Sequence, residues 1–467
     1  MRARLAFAAL LLAGCTVGPD YARPPVETPA AFKEEAGWKR AEPADAIERG
    51  RWWAVFADPE LDALAERVQI SNQNVRLAEA RVRQARAVSA QARAGFYPTL
   101  GAGVSATRSQ ASSVSPTTTQ AARGGIRNNY GVSLDASWEL DLWGRIRRSV
   151  EAADAEASAS AGDLEAATLL AQSDLVQNYL LLRITELLQQ LLDETVAGFQ
   201  TTVKLTRNRY EAGVAARVDV VQAETQLKST QADAIDLQLT RAQLEHAIAV
   251  LLGEPPANFS LPARPLRARM PSIPVGVPSE LLERRPDIAA AERRVAAANA
   301  RIGVAEAAYF PTITLAGSGG YRGPSTADLF TLPARFWSVG GALAQALFDG
   351  GARKAVTEQA RAAYDGEVAA YRQTVLNAFA EVEDNLAALR ILQSEAEVQS
   401  EAVSLARKSV ELTTNQYQAG IVSFINVVAT QTVALNNQRA EVTLLGRRLA
   451  ASVALVRAVG GGWEQAR

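Results

Sequence analysis

The chain carries the same pattern twice, and this duplication is the strongest limit on its fold. The block Tyr97–Thr99, Tyr-Pro-Thr, recurs as Phe310–Thr312, Phe-Pro-Thr, 213 residues later. The block Tyr210–Gly213, with the pattern Tyr-x-Ala-Gly, recurs as Tyr417–Gly420 after 207 residues. The period is close to half of the 467 residues, which is too long for a short-unit solenoid. Each half must therefore build the same supersecondary unit.

Each half contains short segments of period two, the spacing expected for β-strands. After Pro98, apolar residues alternate with Thr, Ser and Gly, and the alternation resumes over 130–140 with Asp135 and Glu139 on the polar side. An apolar face opposite a polar face is typical of strands in a membrane barrel, although a half-buried hairpin in water shows the same pattern. We predict strands at about 98–108, 130–141, 311–321 and 336–347.

A very long helical pattern follows each predicted hairpin. Residues 117–254 and 334–467 contain no proline, and strong helix formers dominate both. We predict helices from about Arg145 to Arg209 and from about Arg353 to Gln418, each roughly 95 Å long, and a return helix after each Tyr-x-Ala-Gly block. Their charged residues exclude burial in lipid, so these helices stand in water. The predicted fold class is mainly α with a small β part.

The amino terminus is a targeting segment. Arg2 and Arg4 precede an apolar run that leads into Leu12-Ala13-Gly14-Cys15, which resembles a bacterial lipoprotein box and holds the only cysteine of the chain. We interpret residues 1–14 as a lipoprotein signal peptide and Cys15 as the site of covalent diacylglycerol and N-acyl chains. A buried cysteine after an ordinary signal peptide is the alternative. Thr16 stands where an aspartate would favour the inner membrane, so the outer membrane is expected.

Composition excludes several functional classes. The formal net charge is −1, so the chain has no basic footprint for nucleic acid. His246 lacks a second histidine with which to share a metal, and no Walker-type phosphate loop occurs. We therefore predict no enzymatic activity, no catalytic residue, no metal site and no cofactor other than the lipid on Cys15.

Changes in composition divide the chain into segments. The predicted division is 1–14 signal peptide, 15–50 lipidated tether, 51–254 first repeat, 255–278 proline-rich joint, 279–460 second repeat and 461–467 tail. Each repeat contributes one hairpin, which gives four strands for the chain. Four strands cannot close a barrel, and an open edge in lipid would leave backbone groups unpaired. If the strands enter a membrane, the chain must form an oligomer, and eight strands from two copies or twelve from three both satisfy this requirement.

Taken together, these features resemble the outer-membrane efflux factors, and more narrowly the OprM/NodT lipoprotein branch of the TolC-like family. The residues that carry the resemblance are Cys15, Val17–Tyr21, Trp52–Leu61, the paired Pro-Thr strand starts and the paired Tyr-x-Ala-Gly blocks. The resemblance implies a homotrimer with a 12-stranded β-barrel in the outer membrane, continuous with an α-helical barrel in the periplasm. It also implies a passive exit duct for drugs and toxic compounds, fed by an inner-membrane pump of the RND type through a periplasmic adaptor.

The same resemblance assigns roles to individual residues. Tyr210, Gly213, Tyr417 and Gly420 would form the periplasmic mouth and dock the adaptor, with turn geometry alone as the alternative. The candidate constriction residues are Asp219, Ile425 and Asn426. Three copies of the Asp219 carboxylate would favour cations, although a solvated charge beside a turn is an equal alternative. The sequence departs from the expected acidic gate at Ala429, which favours Ile425 as the narrowest point.

Asp135 and Glu139 would line the lumen of the barrel, with pairing to a neighbouring arginine as the alternative. Three other functions are open for the whole chain. The first is the exit channel of a type I protein secretion system, which differs only in cargo. The second is a non-conducting structural lipoprotein, against which the two-faced hairpins argue. The third is a lipoprotein enzyme, against which the repeat and the lack of a distinctive acidic pair argue.

Overall fold

The computed structural model describes residues 16–26, 50–110, 126–271 and 285–461. Cys15, and with it the predicted lipidation, lies outside these residues, as do the signal peptide, most of the tether, the last seven residues of the joint and the last six residues of the chain. The helices are α1 Pro59–Ser71, α2 Gln73–Ala94, α3 Arg145–Glu211, α4 Arg217–Leu251, α5 Pro286–Ala307, α6 Ala352–Gln418 and α7 Phe424–Ala458. The strands are β1 Thr99–Gln110, β2 Ile126–Glu139, β3 Thr312–Gly323 and β4 Arg335–Ala344.

The two halves repeat the same order of elements, as the sequence predicts. In each half a helix leads into a hairpin, and a long helix and a return helix follow. The long helices α3 and α6 both contain 67 residues, and the return helices α4 and α7 both contain 35. At 1.5 Å per residue the long helices measure about 100 Å. No helix of the described residues is long and apolar enough to cross a membrane.

The strands pair in chain order into one antiparallel sheet of four strands within the described residues. The pairing of β2 with β3 joins the two halves of the repeat. One cross-strand row contains Ala102, Leu134, Gly319 and Trp337, and its side chains share one face. Along β2, the neighbouring odd-numbered positions, which include Asp135, belong to the other face. The register therefore confirms the predicted separation of an apolar face from a polar one.

The predicted strand limits were wrong by two to four residues at several ends. β2 starts at Ile126 and not near 130, because its backbone pairs with β1 as far as Gln110 whatever the side chains are. β4 ends at Ala344 and not near 347, since Ala344 pairs with Thr312, the first residue of β3. The residue before Thr312 is Pro311, which has no backbone N–H to continue the ladder.

The chain divides into two compact units. The first unit contains the sheet with the adjoining helical segments, which are the described residues 82–110, 126–159 and 291–371, together with 16–24. Residues 16–24 have no regular secondary structure, but hydrogen bonds join them to the rest of this unit. The Tyr21 hydroxyl donates to Glu292 at 2.5 Å, and the Asn299 side chain donates to the carbonyl of Pro19 at 2.9 Å. The described start of the predicted tether is thus attached to the folded protein.

The second unit contains residues 25–26, 50–81, 160–271, 285–290 and 372–461 among those described. Asp58 caps α1 and Pro59 takes its first position, as the sequence predicts. The buried Tyr179 hydroxyl donates to Asp58 at 2.9 Å, and burial raises the pKa of this hydroxyl. The buried guanidinium of Arg183 donates to Glu60 at 2.6 Å. These bonds hold the start of α1 against α3.

The duplication extends to a contact made by different residues in the two halves. The Asn72 side chain, just before α2, donates to the carbonyl of Leu251 at the end of α4, at 2.7 Å. Arg285, just before α5, donates to the carbonyl of Ala458 at the end of α7, at 2.9 Å. The two donors are 213 residues apart and the two acceptors 207, which are the two repeat spacings. The two halves therefore keep a hydrogen bond at corresponding positions, although the donor residues differ in type.

Candidate functional site at the ends of the helical hairpins

The two helical hairpins, α3–α4 and α6–α7, end in turns with the same backbone. Gly213 has a φ of 72° and Gly420 a φ of 77°, which places both in the left-handed region. The N–H of Gly213 donates to the carbonyl of Tyr210 at 2.9 Å, and that of Gly420 to the carbonyl of Tyr417 at 3.0 Å. The residue after each glycine donates to the carbonyl five residues before it, at 2.8 and 2.9 Å. Both turns are therefore Schellman motifs, which strongly favour glycine at this position.

The side chains at the two ends differ. Tyr417 is 6% exposed and packs on Phe424, the first residue of α7, with ring centroids 5.4 Å apart. Ala223 and Val427 complete this cluster. Tyr210 is 43% exposed, and Arg217 takes the position that corresponds to Phe424. The second hairpin end thus has an aromatic core, whereas the first presents its tyrosine to solvent.

One cation connects the two hairpin ends. The guanidinium carbon of Arg209, near the end of α3, lies 4.8 Å from the ring centroid of Tyr417. The same side chain donates to the carbonyl of Gln418 at 3.4 Å. Arg209 therefore joins the last turn of α3 to the last turn of α6, both by a cation–π contact and by a hydrogen bond.

Three buried polar atoms in the helices that form the hairpin ends have no hydrogen-bond partner among the described residues. They are the Nε of Arg209, the Oε1 of Gln222 and the hydroxyl of Tyr417. An unpaired buried polar group costs free energy. Burial of Tyr417 is therefore driven by ring packing and by the cation, and not by its hydroxyl.

The residues predicted to narrow the mouth lie directly beyond the turns. The Asp219 carboxylate accepts the N–H of Ala216 at 3.3 Å, at the start of α4. Its counterpart, Asn426, is exposed and donates from its amide to the Ser423 hydroxyl at 3.3 Å. Ile425 is 50% exposed. Asp219 thus has a capping role that is independent of any conducting role.

The hairpin ends also expose apolar side chains that the chain itself leaves uncovered. Val214 and Val218 at the first end are 65% and 57% exposed, and Ile421 at the second is 72% exposed. With Ile425 they form what we call the tip surface. Exposed apolar groups that lie together are a feature of surfaces that contact a partner.

The two residues predicted to face a lumen lie on the sheet. Asp135 is on the polar face and accepts from the Ser318 hydroxyl at 2.7 Å across to β3. Glu139 accepts two hydrogen bonds from Arg145, at 2.8 and 2.7 Å. Glu139 therefore has the arginine partner that the sequence offered as an alternative. The lumen role of both residues stays a prediction.

Sequence reasoning missed Arg209 and Phe424, although a signal for both was present. Each lies within or beside a repeated block at a position where the two copies differ. Arg209 corresponds to Gln416, and Phe424 corresponds to Arg217. A search for departures from the repeat would have found both residues. Among the described residues, no group of His, Cys, Asp and Glu is arranged to hold a metal ion.

Comparison with known proteins identifies the family. The sequence model of the outer membrane efflux protein family matches residues 64–254 and 277–461. The antibiotic efflux pump outer membrane protein ArpC of Pseudomonas putida is 32% identical over 99% of this chain and 95% of its own length. The pyoverdine export outer membrane protein OpmQ of Pseudomonas aeruginosa is 31% identical over 98% and 96%.

Solved structures show the same relationship. The outer-membrane channel OprN has a TM-score of 0.85 and 31% identity, covering 96% of this chain and 100% of its own. The open state of the MtrE channel of Neisseria gonorrhoeae has a TM-score of 0.83 and 28% identity, covering 96% and 98%. The chain therefore belongs to the outer membrane efflux protein family, the outer-membrane components of efflux pumps, and it has the TolC-like fold of their channels.

Proposed function

We propose that this protein is a homotrimeric exit duct of a tripartite efflux system, anchored in the outer membrane by lipid on Cys15. The proposal depends on the four-stranded sheet, which has unpaired edges among the described residues and an exposed apolar face. In the described part of the chain, neither β1 nor β4 pairs along its outer edge. Its apolar face is exposed to solvent, with Val104 at 83% and Val339 at 80%. A sheet with these properties is stable in lipid only when further copies close its edges.

Three copies would supply twelve strands, enough to leave a lumen, whereas eight strands fill their own interior. The number three is supported by resemblance to the family. The polar face with Asp135 and Glu139 would then line the lumen. The long helices of the three copies would form the passage through the periplasm.

The tip surface is the proposed docking site for a periplasmic adaptor, which would link the duct to an inner-membrane pump of the RND type. Val214, Val218, Ile421 and Ile425 offer it exposed apolar groups at the end of each hairpin. Relatives of similar identity are named for antibiotics, for toluene and for pyoverdine. We therefore propose that the pump selects the cargo and that the duct carries small organic molecules.

Ile425 is the proposed constriction. In planar bilayers we expect Ile425→Ser to raise the single-channel conductance, because a smaller polar side chain widens and wets an apolar ring. Val218→Ser at the corresponding position of the first hairpin is the matched control and should change conductance less. Asp219→Ala should lower cation selectivity if its carboxylate lines the mouth. Unchanged conductance in Ile425→Ser would reject Ile425 as the constriction.

The first test of the whole proposal is the mass of the detergent-extracted, lipidated protein, measured by light scattering with correction for bound detergent. We expect the mass of a trimer, together with channel conductance from the same preparation. A monomer would contradict the proposal, because four strands would then keep two open edges in lipid.

A further inference from the structure

The end of the sheet at which β1 turns into β2 and β3 into β4 is basic. We call it the loop end. The described residues 105–110, 126–132 and 318–339 contain four arginines and a single acidic residue, Asp328. At the opposite end of the sheet, acidic residues accompany the arginines. There Arg145 pairs with Glu139 at 2.7 Å and Arg353 with Asp349 at 2.5 Å. The loop end therefore has an excess of positive charge, whereas carboxylates pair with the arginines at the opposite end.

Two of the loop-end arginines project from the apolar face. Arg108 follows Ala106 by two residues on β1, and Ala106 is paired with Tyr130. Arg335 precedes Trp337 by two residues on β4 and is paired with Tyr321. Because side chains alternate along a strand, both arginines lie on the face that carries Trp337. Both are exposed, and neither forms a salt bridge with any described carboxylate.

The arginines on the other face provide an internal comparison. Arg127 is paired with Ser109, and Arg322 is paired with Gly131, which places both side chains on the polar face. The guanidinium of Arg322 lies 4.9 Å from the ring centroid of Phe336 on the same face. The loop end therefore presents one pair of arginines on each face, at the same level of the sheet.

Aromatic side chains accompany the arginines of the apolar face. Trp337 is 74% exposed, and Tyr321 contacts Phe330 edge to face at 5.5 Å between centroids. Trp and Tyr at the end of an apolar strand face are typical of the boundary between membrane and water. In a sheet that spans a membrane, as proposed above, this position would bring Arg108 and Arg335 to the depth where lipid headgroups begin.

We propose that Arg108 and Arg335 bind phosphate groups of an anionic lipid headgroup in the leaflet that surrounds the loop end. This inference rests on the proposed function, which puts the helices in the periplasm and makes this leaflet the outer one. The N–H donors of a guanidinium match the oxygens of a phosphate in geometry. Because neither arginine has a described carboxylate partner, the donors of both are available to a phosphate. β1 and β4 are the two edge strands. Closing the barrel would bring Arg335 of one protomer and Arg108 of its neighbour to one seam.

The test is a lipid-binding titration of the purified protein in detergent, with a bis-phosphorylated glycolipid as the probe. The double variant Arg108→Gln with Arg335→Gln removes two cations and keeps much of the side-chain length. We expect its dissociation constant to rise about tenfold to thirtyfold. The matched control, Arg127→Gln with Arg322→Gln, removes the same charge from the polar face at the same level and should bind as the unaltered protein does.

Two further probes identify the ligand. The same glycolipid without its phosphates should bind weakly, and to an equal extent in the unaltered protein and both double variants. Inorganic phosphate at millimolar concentration should not displace the lipid. Equal losses in the two double variants would overturn the proposal in favour of diffuse attraction. Binding of the phosphate-free lipid as tight as that of the phosphorylated one, or full displacement by inorganic phosphate, would also overturn it. The mass and the conductance of the same preparations test the proposed function separately, so a conducting trimer without phosphate-dependent binding would reject this inference alone.

Discussion

The two hairpin ends are copies that have diverged around an unchanged backbone. Gly213 and Gly420 have nearly the same φ, 72° and 77°, and both turns close with the same hydrogen bonds. Yet Tyr210 is 43% exposed, whereas Tyr417 is 6% exposed. The difference arises where the copies differ in sequence, since the second end has Phe424 and the first end supplies Arg209. The local sequence thus determines the turn, and neighbouring residues determine how tightly the turn is held.

The largest expected effect is the loss of the aromatic core at the second end. Phe424 is 1% exposed, and replacing it by alanine leaves a cavity. Phe424→Ala should therefore lower the free energy of local opening at the second end by about 3–5 kcal/mol. A smaller loss is expected only if the second end already opens as readily as the first before this full amount is lost. Amide hydrogen exchange over residues 412–430 and 205–223 measures the two ends within one molecule. Arg217→Ala, at the corresponding exposed position, should change neither end by more than about 0.5 kcal/mol. If protection over 412–430 survived in Phe424→Ala, packing could not explain why the ends differ.

The next effect should be equal at the two ends. Gly213→Ala and Gly420→Ala each force an L-residue into the left-handed region, at a cost of roughly 1–2 kcal/mol. A Cβ atom at either position would meet no surrounding atom within 4 Å, so no steric clash adds to this cost. Differential scanning calorimetry and hydrogen exchange should show matched losses. Gly198→Ala, inside α3 and equally open, should instead stabilise its helix by about 0.5–1 kcal/mol. Unequal losses at the two turns would mean that their backbones are held differently.

A smaller effect should follow from removing the cation between the ends. Arg209→Ala abolishes the contact with the Tyr417 ring and the hydrogen bond to Gln418, at a cost of about 1 kcal/mol. We expect exchange to rise over 412–420 more than over 205–213, because Tyr417 loses its cover. Gln416→Ala, at the corresponding position of α6, is the control and should leave both segments unchanged. Equal exchange in Arg209→Ala and Gln416→Ala would show that the cation contributes nothing to the asymmetry.

Most of the backbone could be predicted because it depends on local signals. The absence of proline indicated the extent of α3 and α6, glycine indicated the turns, and alternation indicated the strands with their faces. The strand ends were less accurate, since Ala344 ends β4 only because its partner Thr312 begins β3. The repeated blocks alone did not predict that the two tyrosines would differ in burial. Tyr210 and Tyr417 share the same surrounding pattern, and the burial of Tyr417 depends on Arg209, which is 208 residues away in the chain.

The smallest expected effect separates the ring of Tyr417 from its hydroxyl. The hydroxyl is buried and has no hydrogen-bond partner among the described residues, so it contributes little to holding the second end. Tyr417→Phe keeps the contacts with Phe424 and Arg209, and we expect it to change the free energy of local opening by less than about 0.5 kcal/mol, with a slight gain in stability because an unsatisfied group is removed. Tyr210→Phe, at the exposed counterpart, should be neutral because water already satisfies its hydroxyl. Hydrogen exchange over 412–430 measures the first change, and a loss above about 1 kcal/mol would mean that the hydroxyl binds a buried water. In that case the second end would be held by a polar bridge as well as by packing, and the difference between the two ends would not be explained by ring burial alone.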